Sequence, residues 1–207
     1  GARAGGRLQT VTLSSGETVS AGSCVFAVGA WLPNVFPVVM KDKLSVRKAG
    51  YYMFGTPPGD TRFSVPNLPN TGLGLPSING AGFGLLINPT HPVDPDTFEH
   101  LPDAQEQAQA RQTVATRFPA LKDQPIIAAW TCQTEYSVDA QCIFDLHPEM
   151  DNVWLVGGGS WHAFKIGPVI GDYVAHRVIG EEKGLPEANL SGAELSAIFK
   201  LKPETFA

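Results

Sequence analysis

A thiol, a lysine and a run of glycines converge on one stretch of this chain, residues 131–171. Cys132 stands in Trp130-Thr131-Cys132-Gln133-Thr134, thirteen positions before the start of Asp145-Leu146-His147-Pro148. The apolar run Val153-Trp154-Leu155-Val156 then leads into Gly157-Gly158-Gly159-Ser160-Trp161-His162-Ala163-Phe164-Lys165. Successive glycines after a buried strand let the backbone pass close to a bulky ligand. A helix opening after Pro168 presents unpaired N–H groups, and Lys165 an ammonium, to an electron-rich atom or a carboxylate. The pattern reads as half of a cofactor site.

Each of these residues also has a plainer reading. A lone cysteine on a strand with alternating neighbours, such as Cys132, is more often a small buried hydrophobe than a reactive thiol, and Cys24 and Cys142 read as core thiols. Lys165 reads as a snorkelling surface side chain or as a partner for negative charge; its neighbours Phe164 and Ile166 and the helix start favour the second. His162 reads equally as a satisfied structural imidazole. Cys132, Cys142, His147 and His162 lack the Cys-x-x-Cys or His-x-x-x-His spacing of a metal site, so no metal is expected. A Cys132 and His162 hydrolase pair lacks a nucleophile elbow and an orienting partner. Asp145-Leu146-His147-Pro148 reads as a turn.

The elements that must position these groups follow from pattern. The run at 153–156, bounded by Asn152 and Gly157, is expected to be a buried parallel strand. The helix after it carries Ile170, Tyr173, Val174 and Val178 on one face and stops at Gly180. Residues 6–13 and 17–28 read as two strands joined by Ser14-Ser15-Gly16. Strands near 44–53, 73–76, 83–88 and 126–133, with a helix over 102–118 stopped by Pro119, make the middle β-rich with one flanking helix. Ser191 caps a last short helix to Phe199, with Glu194 as capping-box partner.

With 43% hydrophobic and 17% charged residues in 207, the chain is of the soluble globular class and can bury a sizeable core. A net charge of -5 disfavours nucleic acid and anionic membrane as partners, since both demand a basic surface. No apolar run approaches the roughly 20 residues of a membrane span. Three cysteines without tight pairing argue against a disulfide scaffold and for a reducing compartment. The chain ends Glu204-Thr205-Phe206-Ala207, which is not a peroxisomal tripeptide, so a cytoplasmic location is expected.

In order and spacing these residues resemble the C-terminal half of the FAD-dependent amine oxidoreductases of the sarcosine oxidase and fructosyl-amino-acid oxidase group, within the D-amino-acid-oxidase superfamily. That group carries a Cys, an Asp-x-His-Pro some thirteen positions later, then a strand and Ser-Gly-His-Gly-Phe-Lys. The last element stands here as Ser160-Trp161-His162-Ala163-Phe164-Lys165. Cys24-Val25-Phe26-Ala27-Val28-Gly29-Ala30-Trp31 is similar to the strand and Gly-Ala-Trp turn that pass beneath the flavin. Val93-Asp94-Pro95-Asp96-Thr97 is similar to the group's Asp-Pro-Asp-Thr. The resemblance runs from about residue 11 to 180. It implies that FAD is held by Gly29, Ala30, Trp31, Gly157, Gly158, Gly159, Ser160, Trp161, His162, Ala163, Phe164 and Lys165, and that Cys132 carries it as an 8α-thioether. It further implies that Lys165 and His162 are the catalytic side chains, with Lys165 meeting the substrate carboxylate and the negative charge of reduced flavin.

The departures are informative. The group holds the ADP half of FAD by a Gly-x-Gly-x-x-Gly turn with an acidic residue about 20 positions later. Here Gly5-Gly6 precedes no helical pattern, and Gly72, Gly74, Gly80, Gly82 and Gly84 lie among prolines and strand signals. The chain is therefore expected to be the C-terminal portion of a larger protein, partnered by an N-terminal dinucleotide-binding segment. Residues 80–97 contain no Lys or Arg, so the lysine that the group's oxidases place beside flavin N5 is missing, and its best match is Gly84. The group's histidine falls near Asn88, its paired tyrosines at Gly72 and Leu73, and Trp161 replaces a glycine.

The expected fold is α/β in the broad, α+β sense. Residues 1–38 and 130–183 would form the C-terminal part of a Rossmann-type FAD-binding domain, residues 39–129 a mixed β-sheet substrate domain, and residues 184–207 a tail. The expected function is oxidation of the C–N bond of a secondary or N-substituted amine or amino acid, other than sarcosine itself, by hydride transfer to FAD with oxygen as acceptor and hydrogen peroxide as product. The alternatives are a flavin dehydrogenase with another acceptor and a non-catalytic remnant or binding module.

Overall fold

A computed structural model describes residues 1–64, 73–77, 80–87, 91–181, 184 and 190–206. In chain order come short strands β1 (Arg3–Ala4), β2 (Arg7–Leu8), β3 (Val11–Thr12), β4 (Thr18–Val19) and β5 (Cys24–Phe26), then helical turns α1 (Leu32–Val35) and α2 (Pro37–Met40). Strands β6 (Leu44–Phe54), β7 (Leu73–Leu75) and β8 (Phe83–Ile87), helix α3 (Ala104–Arg117) and strand β9 (Ile126–Ser137) follow. Strands β10 (Ile143–His147) and β11 (Met150–Gly157) and helices α4 (Gly167–Val178) and α5 (Gly192–Ile198) complete the order. The class is thus mixed α/β. Two compact units form, one from Gly1–Ser45 with Thr134–Ala207 and the other from Val46–Gln133.

In the first unit a sheet of order β10-β11-β5 is central. β11 is antiparallel to β10 and parallel to β5, with Val153 beside Cys24 and Leu155 beside Phe26. Its apolar run is continuous because both faces are covered. Val153 and Leu155 pack with Leu8, Leu32 and Met40, while Phe144 on β10 packs the opposite layer with Tyr173, Val174 and Leu195. Burial of a side chain such as Leu155 contributes about 1.5–3 kcal/mol. Asn152 is also buried, and its amide accepts the Leu8 N–H at 2.8 Å and donates to the Leu8 carbonyl at 2.9 Å. A side chain thus continues the sheet's hydrogen bonding to β2, and the buried Asn152 amide is paired through both its oxygen and its nitrogen.

Two expectations are corrected in this unit. The N-terminal residues form two short ribbons, β1 with β2 and β3 with β4, in place of two long strands. Gly5 and Gly6, at φ +56° and +72°, close a tight hairpin there, and Ser20-Ala21-Gly22-Ser23 offers too little side chain to sustain pairing up to β5. Asp145-Leu146-His147, read as a turn, lies within β10; the reversal is confined to Pro148 and Glu149. The Asp145 carboxylate accepts the N–H groups of Leu146 and Leu201, both at 2.9 Å, so the bonding that signals a turn here ties a strand to the C-terminal tail.

The second unit is a sheet of order β7-β8-β6-β9 with α3 on one face. Tyr52 and Phe54 of β6 and Phe83 and Leu85 of β8 alternate onto that face and meet Ala110 and Val114 of the helix. Asp103 accepts the Glu106 N–H and Glu106 accepts the Asp103 N–H, each at 2.8 Å, a capping box that starts α3. Glu106 also pairs with Lys48 at 2.9 Å. Burial, with the charges of Glu106 and Asp103, pushes the Tyr52 phenol up to about 12. β9 extends four residues past the expected 133, because Glu135 and Ser137 find backbone partners described below. Among the described residues no helix is long and apolar enough to cross a membrane.

His147 ties stability to pH. It is buried, its Nδ1 accepts the Glu149 N–H at 3.1 Å, and its ring meets Phe36 at 5.5 Å. Burial lowers its pKa below the ordinary 6.5, so the unfolded chain takes up a proton first. The stability from the neutral ring is complete above pH 6.5 and is lost as pH falls through the lowered folded value. Unfolding titrations of His147→Phe should therefore show a shallower loss of stability below pH 6.5 than the unmodified protein. Equal slopes would place the acid sensitivity elsewhere.

Candidate cofactor site

Because β5 and β11 run parallel, their carboxyl ends lie on one side of the sheet, where open α/β sheets bind ligands. Each ends in a glycine turn. Gly29, at φ +53°, opens the 3-10 turn Gly29–Trp31, in which Ala30 is buried and Trp31 exposed. After β11 the chain passes Gly157, Gly158 at φ +68° and Gly159, then Ser160 at φ +44° and Trp161 at φ +72°, before the 3-10 turn Ala163–Ile166. A Cβ at Gly157 would lie 2.7 Å from Leu32 Cδ2, which would have to shift, and one at Gly159 would lie 2.7 Å from the Ala163 Cβ, which has no rotamer to move away.

Ser160 and Trp161 in left-handed conformation each cost roughly 1–2 kcal/mol, which the surroundings must offset. The end of β9 does this. Glu135 Oε1 accepts the Gly159 N–H at 3.2 Å, and the Glu135 carbonyl accepts the Ser160 N–H at 3.1 Å. Buried Ser160 Oγ donates to the Gly158 carbonyl at 3.0 Å and accepts the Ser137 N–H at 3.3 Å. Ser137 Oγ in turn donates to the Gln141 carbonyl at 2.6 Å. Sequence reasoning missed Glu135 and Ser137; the alternation Glu135-Tyr136-Ser137-Val138-Asp139 was the available signal that β9 continues with a polar face. Beneath the two turns lies an open cavity of about 170 Å³ lined by Gly29, Glu135, Cys142, Gly157, Gly159 and Ala163, with apolar side chains behind.

Of the residues expected to hold the cofactor, Gly29, Gly157, Gly159 and Ala163 line this cavity, while Ala30, Trp31, Gly158, Ser160, Trp161 and His162 do not. The turn that follows is not buried, contrary to the reading of Lys165 beside a buried helix start. His162 and Lys165 are exposed, and Phe164 is 99% exposed. The side chains of His162 and Lys165 make no hydrogen bond among the described residues. The cause is local: glycines and left-handed residues carry the chain outward before α4 turns it back at Gly167, with Pro168 in its first turn. Beside β5 and α4 a further open groove of about 490 Å³ is lined by Val25, Ala27, Val156, Ile170, Val174 and Val178.

Cys132 belongs to the second unit, on β9, and its thiol is exposed, which corrects the reading of a small buried hydrophobe. Partial desolvation still raises its pKa. Trp130, two residues earlier on the same face and 42% exposed, stacks on Tyr51 with centroids 4.2 Å apart. Tyr51 crosses Gly84: a Cβ there would lie 3.0 Å from Tyr51 Cζ and 3.1 Å from the Leu75 Cβ. An aromatic ring thus occupies the space that a longer side chain at 84 would need. Cys142 is buried, its thiol raised by burial and by the Glu135 charge, and Cys24 packs half-buried against the first unit's core. Asp94 organises its turn by accepting the Asp96 N–H at 2.9 Å and the Thr97 N–H at 3.2 Å. Gly72 and Asn88, and the side chain of Leu73, lie outside what is described.

Removing the Ser160 hydroxyl deletes a buried donor and an acceptor while keeping the left-handed strain. Ser160→Ala should lower unfolding stability by about 1–3 kcal/mol in urea titration. A change under about 0.5 kcal/mol would show that the clamp does not depend on this hydroxyl.

A family model described as FAD dependent oxidoreductase (DAO) matches residues 1–177. L-saccharopine oxidase of Schizosaccharomyces pombe is 38% identical over 73 residues, 35% of this chain and 17% of that protein. Monomeric sarcosine oxidase of Bacillus sp. is 29% identical over 105 residues, 49% of this chain and 27% of that protein. Among solved structures, fructosyl amine:oxygen oxidoreductase (Amadoriase I) from Aspergillus fumigatus superposes with a TM-score of 0.75 at 18% identity, covering 98% of this chain and 47% of that one. Iminodiacetate oxidase from Chelativorans sp. gives 0.71 at 19%, covering 91% and 50%. These two structures share the fold, and the chain spans about half of their length. With the family model matching most of its residues, the chain belongs to the FAD dependent oxidoreductase (DAO) family.

Proposed function

We propose that this chain supplies the flavin-facing half of an FAD-dependent enzyme that oxidises the C–N bond of a secondary or N-substituted amine or amino acid. The observation that carries this is the pair of glycine turns at the carboxyl ends of the parallel strands β5 and β11. They border a cavity where a side chain at Gly159 would collide with Ala163 and one at Gly157 would displace Leu32. The cavity is open, with a volume of about 170 Å³ beneath the turns, and part of a flavin cofactor would lie in it. Residues 29–31 and 157–165 would hold the cofactor, and the exposed thiol of Cys132 would anchor it as a thioether.

When bound, the flavin supplies the acceptor for the hydride leaving the carbon next to the substrate nitrogen, with oxygen as final acceptor and hydrogen peroxide as product. The chain's own contributions are charge and position. The exposed Lys165 ammonium, which makes no hydrogen bond among the described residues, would pair with a substrate carboxylate. With the positive end of α4 it favours negative charge beside the turn. His162, three residues earlier, is available to the same ligand. The matched halves of the relatives and the lack of a Gly-x-Gly-x-x-Gly turn point to a dinucleotide-binding portion outside residues 1–207. Its seat would be the apolar groove along β5 and α4. A second reading, a dehydrogenase passing electrons to another acceptor, is favoured by Gly84 and the Tyr51 ring across it, where the resembled oxidases carry a lysine.

In the full-length protein, Cys132→Ala should abolish covalent flavin while Cys24→Ala and Cys142→Ala remain fully labelled. Mass spectrometry of the peptide containing Cys132 decides the point, and an unmodified peptide from flavin-loaded protein removes the thioether. Lys165→Met should lower kcat/KM for carboxylate substrates about thirty- to a hundredfold, the worth of one charge-assisted contact. A matched ester should lose much less binding. Equal losses for acid and ester would assign Lys165 to the solvated surface.

A further inference from the structure

Among the described residues, Glu135 is the only charged side chain lining the cavity between the two glycine turns. Its two carboxylate oxygens are in different situations. Oε1 accepts the Gly159 N–H at 3.2 Å and so helps to hold the elbow. Oε2 faces Gly29, 3.7 Å from where a Cβ would stand, and makes no hydrogen bond among the described residues. The remaining lining is glycine backbone, aliphatic and aromatic carbon, and the Cys142 thiol, whose pKa is raised. An ionised carboxylate offers acceptors and no donor. It therefore opposes a phosphate, which is anionic, and the carbonyl edge of a ring, which only accepts. A hydroxyl group donates and is favoured.

On the flavin reading above, we propose that Glu135 binds the ribityl chain of the cofactor, its Oε2 accepting a hydrogen bond from one ribityl hydroxyl while Oε1 positions the elbow. The cavity is open and lies directly beneath both turns, so an extended polyol chain can run past Glu135. A single charged side chain thus links the shape of the turn to the recognition of the ligand that lies beneath it. Glu135 is in this sense both a cofactor-binding and a positioning residue.

The test uses the full-length protein carrying Cys132→Ala, so that flavin is held without a covalent bond. Its apoprotein is titrated with FAD and with FAD analogues each lacking one ribityl hydroxyl, followed by flavin fluorescence. With Glu135 present, one analogue should bind about ten- to a hundredfold more weakly than FAD, the range for a hydrogen bond to a charged group. Glu135→Gln, which keeps a neutral acceptor, should reduce that penalty, and Glu135→Ala should abolish it. The ratio of analogue to FAD within each variant cancels any general loosening of the fold. Amide exchange at Gly159 should quicken in Glu135→Ala and stay near the parent rate in Glu135→Gln. If FAD binds but every analogue matches it, or the penalty persists in Glu135→Ala, Glu135 is a backbone clamp and the inference fails alone. If the protein with Glu135 intact does not bind FAD, the flavin reading fails and takes the inference with it.

Discussion

The hydrogen bonding between the end of β9 and the glycine elbow is the interaction on which the site rests. Two consecutive non-glycine residues, Ser160 and Trp161, sit at positive φ. Chain sterics would not keep them there. Glu135 and Ser137 hold the elbow through backbone and side-chain partners, several of them buried and so worth more than exposed bonds. Without this clamp, the approach of Gly157 to Leu32 and of Gly159 to Ala163 would have no fixed geometry, and the cavity beside Gly29 would have no wall.

The same arrangement explains why the chemical side chains are solvated. A backbone led outward by left-handed residues delivers His162, Phe164 and Lys165 to the surface. In the second unit the open sheet face has a different character. Tyr51 and Trp130 stack there, and Gly84 is small because Tyr51 lies over it. Membership of the DAO family accords with the fold of the chain.

Much was legible in the residues themselves, for reasons of local physics. The apolar run at 153–156, flanked by Asn152 and Gly157, can only be a strand covered on both faces, and β11 is one. Asp103 with Glu106 and Ser191 with Glu194 are capping boxes, and the helices begin there. The order of Cys132, Asp145 and the glycine run carried the family without any coordinates. These signals depend on a few neighbouring residues, and tertiary contacts did not overrule them.

Long-range partners decided the rest. Asp145 looks like a turn residue because its carboxylate can bond a nearby N–H, yet one of those N–H groups belongs to Leu201, and the segment is a strand. Glu135 and Ser137 look like the polar start of a loop, and only the elbow, more than twenty residues later, supplies the groups that keep them extended. Whether Cys132 was buried or exposed depended on which face of β9 met α3, which alternation alone leaves open. The sequence by itself determined the family and most of the strand and helix signals, because these are properties of residue type and spacing. Only the tertiary structure decided which carboxylate borders the cavity and which side chains reach solvent, because those depend on groups far apart in the chain that become neighbours on folding.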